Sequence, residues 1–409
     1  LFYINIFGVW MQVNFESIGI LLLVAAIVAM MARHFHFPYT VGLLVAGLGI
    51  TFLPSTPSIP LTKELIFSGL LPPLIFEAAV SLQWSELRKV MPVVLLLASV
   101  GLVLSAAITG LGMYYVLGWP LIAAAIFGVL IAATDPVSVI ATFKEAGVTG
   151  ELRILVEAES LFNDGVAAVL FGLVLAFAGG NAPTFGGVVL DAFLVIGGGI
   201  GIGAVVALVT LYLIRKTPDH LVELTFTMIA AYGSFVLAEQ SHCSGVLATL
   251  TTGLIIGNRG HLGNISSKGH VAFEAFWEFA AFIANSLIFI LIGIHEAKQP
   301  FSTLIVPSLI AIALVLFGRA VAIYPLAALF SKSSLKVSIA HQHILVWGGL
   351  RGALALALAL GLPSTMPYRS EIVTICFAVV AFSVVIQGLT ITPLMIRLGL
   401  LQKADHKTD

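Results

Sequence analysis

Seven ionisable side chains sit inside otherwise apolar stretches of this 409-residue chain: Glu77, Asp135, Glu157, Glu159, Asp164, Arg319 and Arg351. A charge near the centre of a bilayer costs roughly 2.5 to 3.5 kcal/mol on insertion scales, so each needs a physical reason to be there. Ser160 and Asp164 are four residues apart, and Glu157 lies one turn earlier, which puts the three on one polar stripe of a helix. Glu159 and Asn163 form a second stripe, rotated by roughly a third of a turn. Hard cations such as sodium take oxygen ligands, and Asp164, Ser160 and carbonyls freed near Thr134 and Asp135 would supply them. A buried acid with no cationic neighbour is penalised when bare, so Asp164 is expected to hold either a proton or a cation, with the two competing for it. Glu159 faces elsewhere and is better placed for a fixed ion pair with Arg319. For Asp135 two roles stand side by side, a cation ligand and a cap on amides freed at a helix break, and Glu157 is read as lying nearer the interface.

The elements that must carry these groups are membrane helices. Hydrophobic residues make up 59% of the chain, charged residues only 10%, and mean hydropathy is +1.10, whereas a soluble domain carries about 25% charged residues. Apolar runs recur at 18–31, 38–53, 65–82, 92–117, 119–143, 152–177, 188–214, 222–238, 245–256, 272–294, 304–330, 344–362 and 372–398. The prediction is therefore an all-α polytopic membrane protein of about thirteen spans in a lipid bilayer. A net charge of −1 gives no basic field for nucleic acid. Cys243 and Cys376 are far apart and read as packing residues, the ten histidines fall in loops or near span ends, and neither a cofactor nor a zinc site is expected. Residues 1–12 lack a basic n-region and a small-residue cleavage site, so no cleavable leader is expected.

Sorting the loops by face puts fourteen Lys and Arg on one side, among them Arg88, Lys89, Arg215 and Lys216, and only Lys63, Lys298 and Arg369 on the other. That bias predicts a cytoplasmic C-terminus and an outside N-terminus in the inner or plasma membrane. At about 1.5 Å per residue, Asp135, Glu159, Asp164, Arg319 and Arg351 then lie roughly 12 to 20 Å deep from the cytoplasmic ends, in one slab. Glu77, after Pro72 and Pro73, reaches the same region if its helix bends there.

An odd span in the middle predicts two inverted six-helix repeats, 1–180 and 220–409, joined by a linker helix in 181–219. The fifth helix of each repeat carries an interruption: Thr134-Asp135-Pro136 in one, and Gly348-Gly349-Leu350-Arg351-Gly352 in the other. Broken helices at matching positions of two repeats are the best sequence pointer to a transporter's ion site. Here they would cross near mid-membrane, supported by Pro136, Gly349, Arg351 and Gly352.

The stretch Ala158-Glu159-Ser160-Leu161-Phe162-Asn163-Asp164-Gly165-Val166 resembles the NhaP-type sodium/proton antiporters, the branch of cation:proton antiporters that includes the animal sodium/proton exchangers. Leu71 to Glu77, Ala133 to Val137 and Gly349 to Ala353 match the family's other motifs in order. The resemblance implies that Asp164 carries the ion and the proton, with Ser160, Glu77 and the Thr134–Asp135 region around the Na+, and that Glu159 and Arg319 form a structural ion pair. It implies electroneutral exchange, because Asn163 stands where the electrogenic branch has a second aspartate. It further implies a homodimer, with a mobile core (about 92–178 and 302–400) moving against a dimerisation scaffold (about 1–91 and 185–298). The chain has no long cytoplasmic tail of the kind animal relatives carry, which implies a prokaryotic member. Li+ or K+ in place of Na+, a passive cation channel, and an intramembrane aspartyl hydrolase using Asp135 and Asp164 are the competing readings. The hydrolase is disfavoured because neither acid lies in a Gly-x-Gly-Asp context.

Overall fold

The structure is a computed structural model that describes residues 15–35, 37–52, 59–135, 139–140, 143, 148, 150–179, 185–217, 219–259, 267–297, 299 and 301–401. The described residues form fourteen helices. In chain order they are α1 Phe15–Phe35, α2 Tyr39–Ile50, α3 Leu65–Ser81, α4 Trp84–Leu117, α5 Leu121–Ala132, α6 Glu151–Ala178 and α7 Phe185–Ile214. The series continues with α8 His220–Gln240, α9 Gly245–Arg259, α10 Ser267–Glu296, α11 Phe301–Ala328, α12 Ile339–Trp347, α13 Ala353–Leu360 and α14 Arg369–Arg397. Eight of them are long and apolar enough to cross a bilayer. With hydrocarbon around them, helices are the economical choice, because each satisfies its own backbone polar groups.

The fourth helix differs from its sequence reading. Pro92 marks the start of the predicted run at 92–117, yet α4 begins at Trp84 and passes straight through that proline. Pro92 lacks an amide to bond back to the Arg88 carbonyl, a local loss that the charged first turns tolerate where water can take over. Lys89 and Glu86 pair there at 2.6 Å, both well exposed.

Local chemistry sets several helix ends. Asp219 caps α8 by accepting from the Leu221 amide at 2.9 Å, and Ser338 caps α12 by accepting from the His341 amide at 3.1 Å. π-turns at Leu65–Leu70, Leu97–Gly101 and Ser383–Gln387 interrupt α3, α4 and α14. The first precedes Pro72 and Pro73, whose missing amides would break a regular α-helical ladder in any case.

Packing gathers α4, α5, α6, α11, α13 and α14 around the two breaks, while α2, α3, α7, α8, α9 and α10 pack on one another. Small residues allow the closest approaches. A Cβ on Gly128 of α5 would stand 2.3 Å from the Ala106 carbonyl of α4, so these two backbones touch. A second apolar cluster, built on Phe76, Phe273 and Trp277, ties α3 to α10.

Candidate cation site

The two interrupted helices meet. After Ala132 the chain of α5 runs extended, and the Asp135 amide donates to the Leu350 carbonyl at 2.8 Å in a single antiparallel bridge. Unwinding two helices in the interior frees carbonyls and amides that must find partners. Here side chains supply them. Arg351 donates from one guanidinium nitrogen to the carbonyls of Ala132 and Ala133, at 2.6 and 3.0 Å, which caps the end of α5 with positive charge. Arg319 donates twice to the Leu345 carbonyl near the end of α12, at 3.1 and 3.2 Å. Ser160 of α6 donates its hydroxyl proton to the Thr134 carbonyl.

Two glycines make the crossing possible. A Cβ on Gly352 would fall 2.0 Å from the Asp135 carboxylate, and one on Gly349 would fall 2.7 Å from Nε of Arg319. Glycine at these positions lets a carboxylate and a guanidinium lie against bare backbone. Gly349, Arg351 and Gly352 lie at the break, whereas Pro136 lies outside the described residues.

Helix α6 divides its polar groups between two faces. Arg319 grips Glu159 with two parallel hydrogen bonds of 2.7 and 2.8 Å, and both side chains are buried. Asn163 is fully buried on this face and donates to Glu159 at 3.2 Å and to the Thr134 hydroxyl at 3.3 Å. The other face looks into a cavity of about 280 Å³ lined by Glu77, Thr134, Asp135, Glu157, Ser160 and Asp164. Glu77, Thr134, Asp135, Ser160 and Asp164 are therefore brought together around one space, and Asn163 is not among its lining residues. Within the cavity wall Oδ1 of Asp164 is buried and has no hydrogen-bond partner among the described residues. Neither a lysine nor an arginine is among the described lining residues.

Glu157 is a buried residue in the early turns of α6. It accepts from the Ser81 hydroxyl at 3.0 Å, lies 3.7 Å from Arg153, and so links α6 to the end of α3.

The opposite wall of the cavity, formed by Tyr39 of α2 with Glu278, Phe282 and Asn285 of α10, was not singled out by the sequence. Tyr39 stacks on Phe282 with ring centroids 5.4 Å apart and hydrogen-bonds Ser286 at 2.6 Å. Glu278, a carboxylate inside an apolar run, was the available signal. Tyr39 and Phe282 gave none, being ordinary residues of an apolar helix.

Residues 19–397 match the family model described as sodium/hydrogen exchanger, transmembrane. A Na(+)/H(+) antiporter, ApNhaP, of Aphanothece halophytica is 37% identical over 405 residues, covering 97% of this chain and 77% of the relative. The Na(+)/H(+) exchanger beta of Oncorhynchus mykiss is 31% identical over 389 residues, 90% of this chain and 50% of its own length. Among solved structures, the sodium proton antiporter MjNhaP1 from Methanocaldococcus jannaschii superposes with a TM-score of 0.74 at 21% identity, covering 95% of this chain and 98% of that one. At that identity the likeness speaks for the fold.

Proposed function

The chain belongs to the sodium/hydrogen exchanger family, and from that premise we propose that it exchanges Na+ for H+ electroneutrally, with the two competing for Asp164. The observation that carries this reading is the unpartnered carboxyl oxygen of Asp164 in the wall of a cavity whose polar lining consists mainly of oxygen groups. Such an oxygen is costly to leave bare in a low-dielectric interior, and either a proton or a cation relieves it. Thr134, Ser160, Asp135 and Glu77 offer the further oxygens a small hard cation takes.

Alternating access follows from the same penalty. A core that must cross the bilayer interior moves readily when its acid is neutralised and resists moving when it is bare, which makes the exchange obligatory. One monovalent passenger replaces another, so no net charge moves. The absence of a second acid at Asn163, whose amide is instead tied to Glu159 and Thr134, supports that stoichiometry. Lower pH should raise the apparent KM for Na+, because protons occupy the shared carboxylate.

The cavity is lined from the C-terminal half of α3 and the N-terminal end of α2, with the middle of α10 beside them. In the orientation expected from the basic residues these ends are cytoplasmic, so this conformation faces inward. On the opposite side the Thr374 hydroxyl of α14 donates to the side-chain oxygen of Gln299 at 3.0 Å, and the Lys63 stem packs on Gly361, which supports closure there. The division into a core (about 92–178 and 302–400) and a scaffold (about 1–91 and 185–298), the repeat boundaries, the homodimer and the plasma-membrane location belong to the same proposal.

The test is proton flux driven by a Na+ gradient in proteoliposomes. Asp164→Asn is expected to abolish flux while the protein remains folded by gel filtration and thermal melting, and wild-type flux is expected to be the same with membrane potential clamped or free. Substantial exchange by Asp164→Asn would refute the assignment, and potential-dependent rates would refute electroneutrality. Running Li+ and K+ alongside Na+ fixes the preferred cation.

A further inference from the structure

The π-turn in α14 lies directly against the break between α12 and α13, and two of its buried side chains are joined to that break. Ser383 and Gln387 are four residues apart, at the two ends of the turn. The Ser383 hydroxyl oxygen accepts from the Arg351 amide at 2.8 Å, and its proton goes to the Gln387 side-chain carbonyl at 2.5 Å. The Gln387 side-chain amide donates to the Trp347 carbonyl at 2.8 Å. Three hydrogen bonds in series therefore connect the last residue of α12 to the last but one before α13, and every group in the series is used in the direction its chemistry allows.

The segment held between those anchors contains Leu350, whose carbonyl accepts from Asp135. Asp135 in turn follows Thr134, whose carbonyl is fixed by Ser160 in the cavity wall. We propose that Ser383 and Gln387 are positioning residues for the cation site: they set the span of the unwound Trp347–Arg351 segment and, through the Leu350–Asp135 bridge, the place of the Thr134 and Asp135 oxygens. The inference rests on the reading of the cavity as the cation site.

Without the relay, the Trp347 carbonyl and the Arg351 amide become buried polar groups in need of partners. Rewinding the segment would supply partners from its own backbone and draw Leu350 away from Asp135. Neither Ser383 nor Gln387 lines the cavity, and Asp164 keeps its surroundings. The consequence is thus specific: cation geometry changes while the competing acid does not. Discrimination between Li+ and Na+ is sensitive to such displacements, because the two ions differ mainly in the oxygen distances they accept.

Gln387→Met removes both of its side-chain hydrogen bonds at similar volume, Ser383→Ala removes the hydroxyl, and Ser383→Thr retains it. In proteoliposomes, Gln387→Met and Ser383→Ala are expected to raise the apparent KM for Na+ about five- to tenfold and to change the Li+/Na+ preference about threefold, with Vmax within about twofold of wild type. Ser383→Thr is expected to stay near wild type. Folded Gln387→Met and Ser383→Ala proteins with unchanged KM and unchanged Li+/Na+ preference overturn the proposal. Failure of both to fold overturns it too, because the relay is then needed for packing alone. A wild-type protein that shows no cation-driven proton flux removes the underlying reading, an outcome distinct from either of these.

Discussion

Replacing Arg319 with alanine should damage the fold far more than it damages the chemistry. The guanidinium makes four hydrogen bonds, two to Glu159 at 2.7 and 2.8 Å and two to the Leu345 carbonyl at 3.1 and 3.2 Å, and the side chain is only 5% exposed. Its removal strands a carboxylate that is 2% exposed, and breaking one side of a buried pair costs about 3 to 5 kcal/mol. The Leu345 carbonyl loses its side-chain donor as well, which adds about 1 kcal/mol. At about 2 °C per kcal/mol for a chain of this size, Arg319→Ala should melt roughly 8 to 12 °C below wild type in detergent. The paired control is Arg319→Met with Glu159→Leu, which removes both charges and fills much of the space; it should recover most of the loss, because a buried pair replaced by apolar residues is often nearly neutral. A single mutant melting within about 2 °C of wild type, or a double mutant no better than the single, would show that the pair does not hold these helices together.

Three further outcomes follow from the geometry. Ser160→Ala leaves the Thr134 carbonyl without its hydroxyl partner and removes one cavity oxygen, so the apparent KM for Na+ should rise about tenfold in the flux assay while the melting temperature moves little. Gly128→Ala must push α4 and α5 apart, since its Cβ would lie 2.3 Å from the Ala106 carbonyl, and should cost about 1 to 3 kcal/mol in a melt. Gly172→Ala, whose Cβ meets nothing within 4 Å, should be neutral or slightly stabilising, by under about 1 kcal/mol.

The all-helical fold and its breaks were legible because they depend on strong local signals: long apolar runs, and glycines, a proline and charges inside them. The separation of α6 into a Ser160–Asp164 face and a Glu159–Asn163 face followed from helical spacing alone, and the cavity lining respects it. Asn163 lies on the ion-pair face with Glu159, to which its amide donates. The start of α4 was missed because a proline in the early turns of a helix removes so little. The wall formed by Tyr39, Phe282 and Asn285 was missed for a different reason. It arises only when α2 and α10 are packed against the broken helices, and no spacing within either segment encodes that. Ser383 and Gln387 did leave a trace, two polar residues one turn apart in an apolar run, but only the neighbouring break gives them a purpose.

The peptide bridge between Asp135 and Leu350 has a mechanical result. If the core moves against the scaffold as proposed, the bridge would carry the two interrupted helices together, and Thr134, Ser160 and Asp164 would ride as a single cradle. Glu77 belongs to α3, on the far shore of the cavity. A passenger would then leave with its travelling oxygens and lose the stationary one, so its grip at the two ends of the stroke would be unequal by construction.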